Sequence, residues 1–284
     1  MSEILLTDCP RDAIQGIKRM ISAEKKAAHI NRLLRSGLFD RVDFGSFVSP
    51  RAVPQMADTE DVLEAIGDTH GTKLLAIVLN ERGAETGLRS GKVDFFGYPF
   101  SLSEEFQRRN ANSTVAESYE RLQRVNARVA EAGRETEVLS FHGVSGNPYG
   151  ESWSEQLVVD WIGKISGLGI REFSLADTTG EADAAGIQKL FKTCSEAFPA
   201  LRIGAHFHSE RATGLEKIRA AHAAGCKKFD GALLGYGGCQ FAQNELVGNM
   251  ASEDLLNYFG RGNQEQIAGL QASFRDLISS SLSY

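Results

Sequence analysis

Leu201-Arg202-Ile203-Gly204-Ala205-His206-Phe207-His208 reads as a strand, and Ser209-Glu210-Arg211 ends it. A helical pattern follows over 214–224, and a second β-like run covers 228–233. Strand, helix, strand is the repeating unit of a parallel α/β fold. Successive side chains of a strand point to opposite faces, so His206 and His208 share one face and Phe207 takes the other. Two imidazoles side by side at a strand end are half of a metal site, whereas a lone strand histidine is more often a hydrogen-bonded core residue.

The same alternation runs outward to both ends of the chain. Strands are predicted over 4–7, 41–45, 73–78, 93–97, 137–141, 172–175, 202–207 and 228–233, with helices over 23–35, 59–66, 113–132, 153–166, 182–197 and 214–224. Val115, Tyr119, Leu122, Val125 and Val129 recur at helical spacing. Thr59 and Ser113-Thr114 have the character of helix starts, and Gly37, Gly133, Gly167 and Gly225 that of C-terminal stops. Eight strands alternating with helices predict an α/β (β/α)8 TIM barrel, the rival being an open doubly wound sheet. The weakest step is 80–92, which is short for a crossover helix. Further helices are expected over 253–259 and 263–280, the second as a candidate homodimer face. A single catalytic domain over 1–284 is the expectation.

With 42% hydrophobic and 24% charged residues, 284 residues can bury a large core. A net charge of −6 with no basic run gives no reason to expect nucleic acid, and the short apolar runs predict no membrane span. Met1-Ser2-Glu3-Ile4-Leu5 lacks the pattern of a signal peptide, and Cys9, Cys194, Cys226 and Cys239 have no CxxC spacing. A cytoplasmic globular protein is expected.

In a TIM barrel the reactive groups sit at the C-terminal ends of the strands. Polar residues collect there: Asp8 to Asp12 after strand one, Asp43 on strand two, His142 after strand five, Asp177 after strand six, the two histidines after strand seven, and Gly235-Tyr236-Gly237-Gly238-Cys239 after strand eight. Asp12 is the favoured carboxylate to join His206 and His208, with Asp43 and Asp177 competing. Asp177 before Thr-Thr-Gly fits a helix cap as well as a functional role. Arg11 can hold an oxyanion or form a rim salt bridge. Cys239 is an acid or base, or a buried small hydrophobe. The donor mix suits Mg²⁺, Mn²⁺ or Fe²⁺ and leaves Zn²⁺ open.

The segments Pro10-Arg11-Asp12-Ala13-Ile14-Gln15, Ser46-Phe47-Val48-Ser49-Pro50-Arg51, His206-Phe207-His208, Gly237-Gly238-Cys239 and Gly248-Asn249-Met250 together resemble hydroxymethylglutaryl-CoA lyase over nearly the whole chain. The resemblance implies Asp12, His206, His208 and Asn249 as ligands of Mg²⁺ or Mn²⁺. It implies Arg11 facing the thioester oxygen of an acyl-CoA substrate, with Gln15, Gly237 and Gly238 beside the substrate, and catalytic roles for Cys239, Asp177 and Asp43. The implied reaction is retro-Claisen cleavage to acetyl-CoA and acetoacetate, with Arg51, Arg108 and Arg109 as candidate partners of the CoA phosphates. Several positions depart from the family pattern. Asp43 replaces a longer Glu, Ala13 a Gly and Ser209 an Asp; the loop between Cys239 and Asn249 is one residue longer; and His142 is unexpected. The rivals are a lyase or synthase of the same group with another substrate, a zinc hydrolase, and a non-catalytic barrel.

Overall fold

A computed structural model describes residues 4–142, 144, 149–237 and 247–282; for 110, 140–142 and 280–282 it describes the backbone. The chain runs β1 (Leu5–Asp8), α1 (Pro10–Ile14), α2 (Ala23–Ser36), β2 (Arg41–Ser46), α3 (Thr59–Ala65), β3 (Lys73–Ile77), α4 (Glu81–Leu88), β4 (Phe95–Pro99), α5 (Glu104–Ala111) and α6 (Val115–Glu131). It continues through β5 (Glu135–His142), α7 (Glu155–Ser166), β6 (Glu172–Asp177), α8 (Ala184–Ala197), β7 (Arg202–Phe207), α9 (Arg211–Ala223), β8 (Lys228–Gly231), α10 (Ser252–Phe259) and α11 (Gln264–Leu282). The eight strands pair in parallel in sequence order, and β8 closes on β1 from Leu5↔Lys228 to Asp8↔Gly231. This is the (β/α)8 TIM barrel, not the open sheet.

Local chemistry sets the element ends. Thr114 starts α6 through a reciprocal capping box with Glu117. The short 80–92 segment does hold a helix: Asn80 caps α4 by accepting from the Gly83 N–H at 2.9 Å. The sequence patterns miss α1 and α5, because neither is long enough for periodicity to show. Gly37, Gly133 and Gly225 take the left-handed conformation expected of stops. Gly167 instead stays right-handed, and the left-handed residue at that helix end is Gly169.

The core has two compartments. One face of each strand packs under the helices, with Leu6, Val42, Phe96, Val138, Phe173 and Phe229 fully buried there. The opposite face fills the barrel, and only one side of that filling is apolar: Leu75, Ile77, Phe95 and Leu139. The other side is polar and largely charged. Arg41 lies 3.4 Å over the Phe95 ring and pairs with Glu137. The Lys228 ammonium sits 2.6 Å from Glu137 and 2.8 Å from Asp230, and donates to the Ser174 hydroxyl at 2.7 Å. A Cβ at Gly204 would fall 2.9 Å from Lys228 Cγ, so the absence of a side chain there makes room for the lysine stem.

After the barrel, α11 lies along α2. Ile267, Leu270, Phe274 and Leu277 are buried within the chain, and His29 of α2 meets the Ser273 hydroxyl at 2.9 Å. The apolar side of α11, the helix expected as a homodimer face, is thus covered within the chain. Among the described residues no helix is long and apolar enough to cross a membrane.

Candidate active site

The site is assembled by the C-terminal ends of β1, β2, β7 and β8. Pro10, with its fixed φ, starts α1 directly after β1, which places Arg11 and Asp12 in its first turn. His206 lies in β7 and His208 one residue beyond it, with ring centroids 5.7 Å apart. Asp12, His206 and His208 are all buried, and each offers a ligand atom within 4.8 Å of the others. His208 bridges Asn249 across the mouth, and the Asn249 amide donates to Asp12 Oδ2 at 2.8 Å and to the Tyr236 carbonyl at 3.0 Å. Those two acceptors take the nitrogen side of the amide and leave its oxygen as the atom for a cation.

The donor set fits a divalent ion. Burial opposes charge on Asp12, but Arg11, the two histidines and the Asn249 amide outweigh it and hold the carboxyl at about 2. Burial pushes His208 down to about 4, so its ring is neutral at pH 7. Its Nδ1 is buried and, among the described residues, has no hydrogen-bond partner, an expensive condition that a ligand would relieve. Burial also pulls His206 down, yet it is raised overall, chiefly by Asp230, whose Oδ2 lies 3.4 Å from His206 Nδ1.

Arg11 is held from three sides. Its Nε donates to Asp43 at 3.0 Å and its Nη2 at 2.5 Å, while Nη1 donates to Asp12 at 2.9 Å and to Gln15 at 3.1 Å. Gln15 donates in turn to Asp12 at 2.8 Å. Among the described residues these contacts engage four of the five guanidinium N–H groups and leave one on Nη2. Asp43, despite its shorter side chain, reaches Arg11. Burial raises its carboxyl to about 6 against the pull of that arginine.

Other expected residues fall elsewhere. Asp177 is buried at the end of β6, where it accepts from Lys217 of α9 at 2.7 Å and from the Ala182 N–H at 3.0 Å. Its carboxylate is thus engaged behind the site, and Lys217 also donates to the His208 carbonyl at 3.2 Å. Gly237, at φ +92°, lies against α1, where a Cβ would stand 2.7 Å from Ala13 Cα; only glycine fits. Gly238 and Cys239 lie outside the described residues, as does the His142 side chain. Arg51, Arg108 and Arg109 are exposed.

Sequence reasoning missed Asp230, Lys228 and Lys217. For the first two there was a signal: Lys228 and Asp230 alternate with Phe229 in a strand of a fold whose strands are buried on both faces. It also missed a cavity of about 170 Å³ that opens from Asp12, His206 and His208. Val48, Ile77, Leu79, Phe100, Phe106 and Leu139 form its far wall.

Comparison with known proteins agrees with this geometry. The HMGL-like family pattern matches residues 3–268. The hydroxymethylglutaryl-CoA lyase of Bacillus subtilis is 34% identical, over 87% of this chain and 81% of its own. The 3-hydroxy-3-isohexenylglutaryl-CoA/hydroxymethylglutaryl-CoA lyase of Pseudomonas aeruginosa is also 34% identical, with the same coverage. A crystal structure of the B. subtilis HMG-CoA lyase superposes with a TM-score of 0.89 at 30% identity, covering 99% of this chain and 94% of that one.

Proposed function

The chain belongs to the HMGL-like family, and we propose that it is a divalent-metal-dependent lyase that cleaves 3-hydroxy-3-methylglutaryl-CoA to acetyl-CoA and acetoacetate. The observation that carries this reading is the buried convergence of Asp12, His206 and His208, with Arg11 beside them. Those three and the Asn249 amide oxygen would hold the cation, and mixed oxygen and imidazole donors suit Mg²⁺ or Mn²⁺. Such an ion, when bound, lowers the pKa of the substrate's C3 hydroxyl.

The chain supplies the rest. His206 or Asp12 takes the hydroxyl proton, the C3–O bond becomes the ketone carbonyl of acetoacetate, the C2–C3 bond breaks, and its electron pair becomes the thioester enolate. Arg11, fixed by Asp43, offers its free Nη2–H to the enolate oxygen, a donor of the kind worth about 10²–10³ in kcat. Cys239 gives the proton that turns the enolate into acetyl-CoA. Asp177 acts at one remove, through Lys217 and the His208 backbone. The exposed Arg51, Arg108 and Arg109 are the groups for the CoA phosphates. Cys9, Cys194 and Cys226 are free thiols, in keeping with a reducing cytoplasm.

The test is release of acetyl-CoA and acetoacetate with Mg²⁺ or Mn²⁺, repeated after EDTA. Metal-dependent cleavage that His206→Ala abolishes supports the reading. A protein that binds neither ion refutes it.

A further inference from the structure

We propose that Asp8 is a positioning residue of the metal site: by holding the Ser252 hydroxyl it fixes the segment that carries Asn249, and so sets where the amide oxygen stands. This rests on the lyase reading above and adds to the same site a residue that touches neither cation nor substrate. Asn249 stands outside the strands and helices, three residues before the start of α10. Its place therefore depends on how residues 248–252 dock on the barrel.

Backbone hydrogen bonds lay this segment over the ends of β7 and β8. The Ser209 N–H donates to the Gly248 carbonyl at 2.9 Å, and the Met250 N–H donates to the Phe207 carbonyl at 3.2 Å. The Ala232 N–H donates to the Met250 carbonyl at 2.8 Å, and the Ser252 N–H donates to the Ala232 carbonyl at 2.9 Å. The approach is close: a Cβ at Gly231 would stand 2.9 Å from the Met250 carbonyl oxygen and 3.2 Å from Ser252 Oγ. Two side-chain hydrogen bonds add a tie to β1 and α1. One is the Asn249 amide on Asp12 at 2.8 Å, and the other is the Ser252 hydroxyl donating to Asp8 Oδ1. Asp8 and Ser252 are 244 residues apart in the chain, so the second bond joins the first strand to the segment beyond the last one.

A carboxyl group is a costly choice for this place on grounds of stability alone. Asp8 is 1% exposed, on the face of β1 that it shares with Leu6 under the helices. Its Oδ2 has no hydrogen-bond partner among the described residues. Burial pushes the carboxyl up to about 7, and the nearby Glu253 and Asp43 add to the rise against the pull of the Ser252 hydroxyl. An apolar side chain would carry no such cost. What the carboxyl supplies is an acceptor for Ser252, the first residue of α10, where Ala251 makes no side-chain cap. The bond thus pins the start of α10, and with it Asn249, to the strand that leads into Arg11 and Asp12.

The experiment is a calorimetric titration of the full chain with Mn²⁺, with the melting temperature of each variant measured beside it. Asp8→Val/Ser252→Ala removes both partners and strands neither, so its melting temperature should stay close to that of the wild type. Its Mn²⁺ binding should nevertheless weaken about tenfold. Ser252→Ala alone, the smaller change, should move the affinity in the same direction. Asp8→Asn keeps an acceptor for the hydroxyl and should bind within about twofold of the wild type. In an Asn249→Ala background the double change should cost no more than about twofold further, because the ligand through which it acts is gone. Equal affinity in the wild type, the double variant and Ser252→Ala overturns the proposal, as does a loss that persists undiminished beside Asn249→Ala. Wild-type protein that binds neither Mn²⁺ nor Mg²⁺ refutes the lyase reading itself, and the two failures are thereby told apart.

Discussion

Asp230 is the side chain whose importance depends most on its neighbours. It stands between a buried ammonium at 2.8 Å and a ring of the histidine pair at 3.4 Å, and Lys228 holds its carboxyl well below the usual range against the cost of burial. A carboxylate behind a metal-ligating histidine fixes the ring and raises its basicity, and losing it typically costs about 10–100-fold in metal affinity. Asp230→Asn keeps the shape and removes the charge. Its expected result is weaker Mn²⁺ binding by that factor in a calorimetric titration, with an unchanged near-ultraviolet circular dichroism spectrum. Unaltered affinity would show that His206 needs no support from β8. The sequence displays His206 and His208 as a pair because their spacing is local, and Asp12 as the favoured carboxylate because it stands at a strand end. It does not display Asp230 as their neighbour, because that contact is made across paired strands.

At the scale of elements, the docking of α11 on α2 turns on His29. The ring is buried beside Phe274, with centroids 5.5 Å apart, and its Nε2 has no hydrogen-bond partner among the described residues. Burial, assisted by Arg32, pushes it from 6.5 down to about 3. The unfolded chain therefore takes a proton below about 6.5, and the folded chain only near 3. Stability falls as pH drops through that window, by up to about 1.4 kcal/mol per pH unit for this one group. His29→Leu should remove that component. Urea unfolding between pH 7 and 4.5 should show a slope shallower than wild type by about one proton, and equal slopes would assign the acid sensitivity to other groups. The helix itself was legible from apolar spacing over 263–280. Which surface covers it was not, since an amphipathic stripe looks the same whether it meets α2 or a second copy.

The whole molecule is a barrel filled on one side by ion pairs where apolar layers are usual. Lys228 is fully buried with Glu137 and Asp230 against it, and Arg41 joins Glu137 to the Phe95 face. A buried pair is weak evidence of net stabilisation, but removing one partner strands the other and costs about 3–5 kcal/mol. Lys228→Met should lose that much in equilibrium denaturation, whereas Lys227→Met, next to it in sequence and outside the barrel strand, should stay within ~0.5 kcal/mol. A loss below ~1 kcal/mol in Lys228→Met would mean that the remaining charges relax or take up water.

Local pattern was enough to specify the eight-fold alternation of strand and helix, and with it the barrel. It also displayed the two histidines and Asp12 as the favoured carboxylate, because strand periodicity and position at a strand end are local properties, while Asn249 entered only through the resemblance to hydroxymethylglutaryl-CoA lyase. Four other facts came from packing: Arg11 is fixed by Asp43, Asp177 pairs with Lys217, α11 is covered by α2, and the cavity beyond the histidines is apolar. Each of them depends on which faces of distant segments meet. Barrel closure and register settle that, since a shift of one residue would exchange the charged interior for the apolar face beneath the helices.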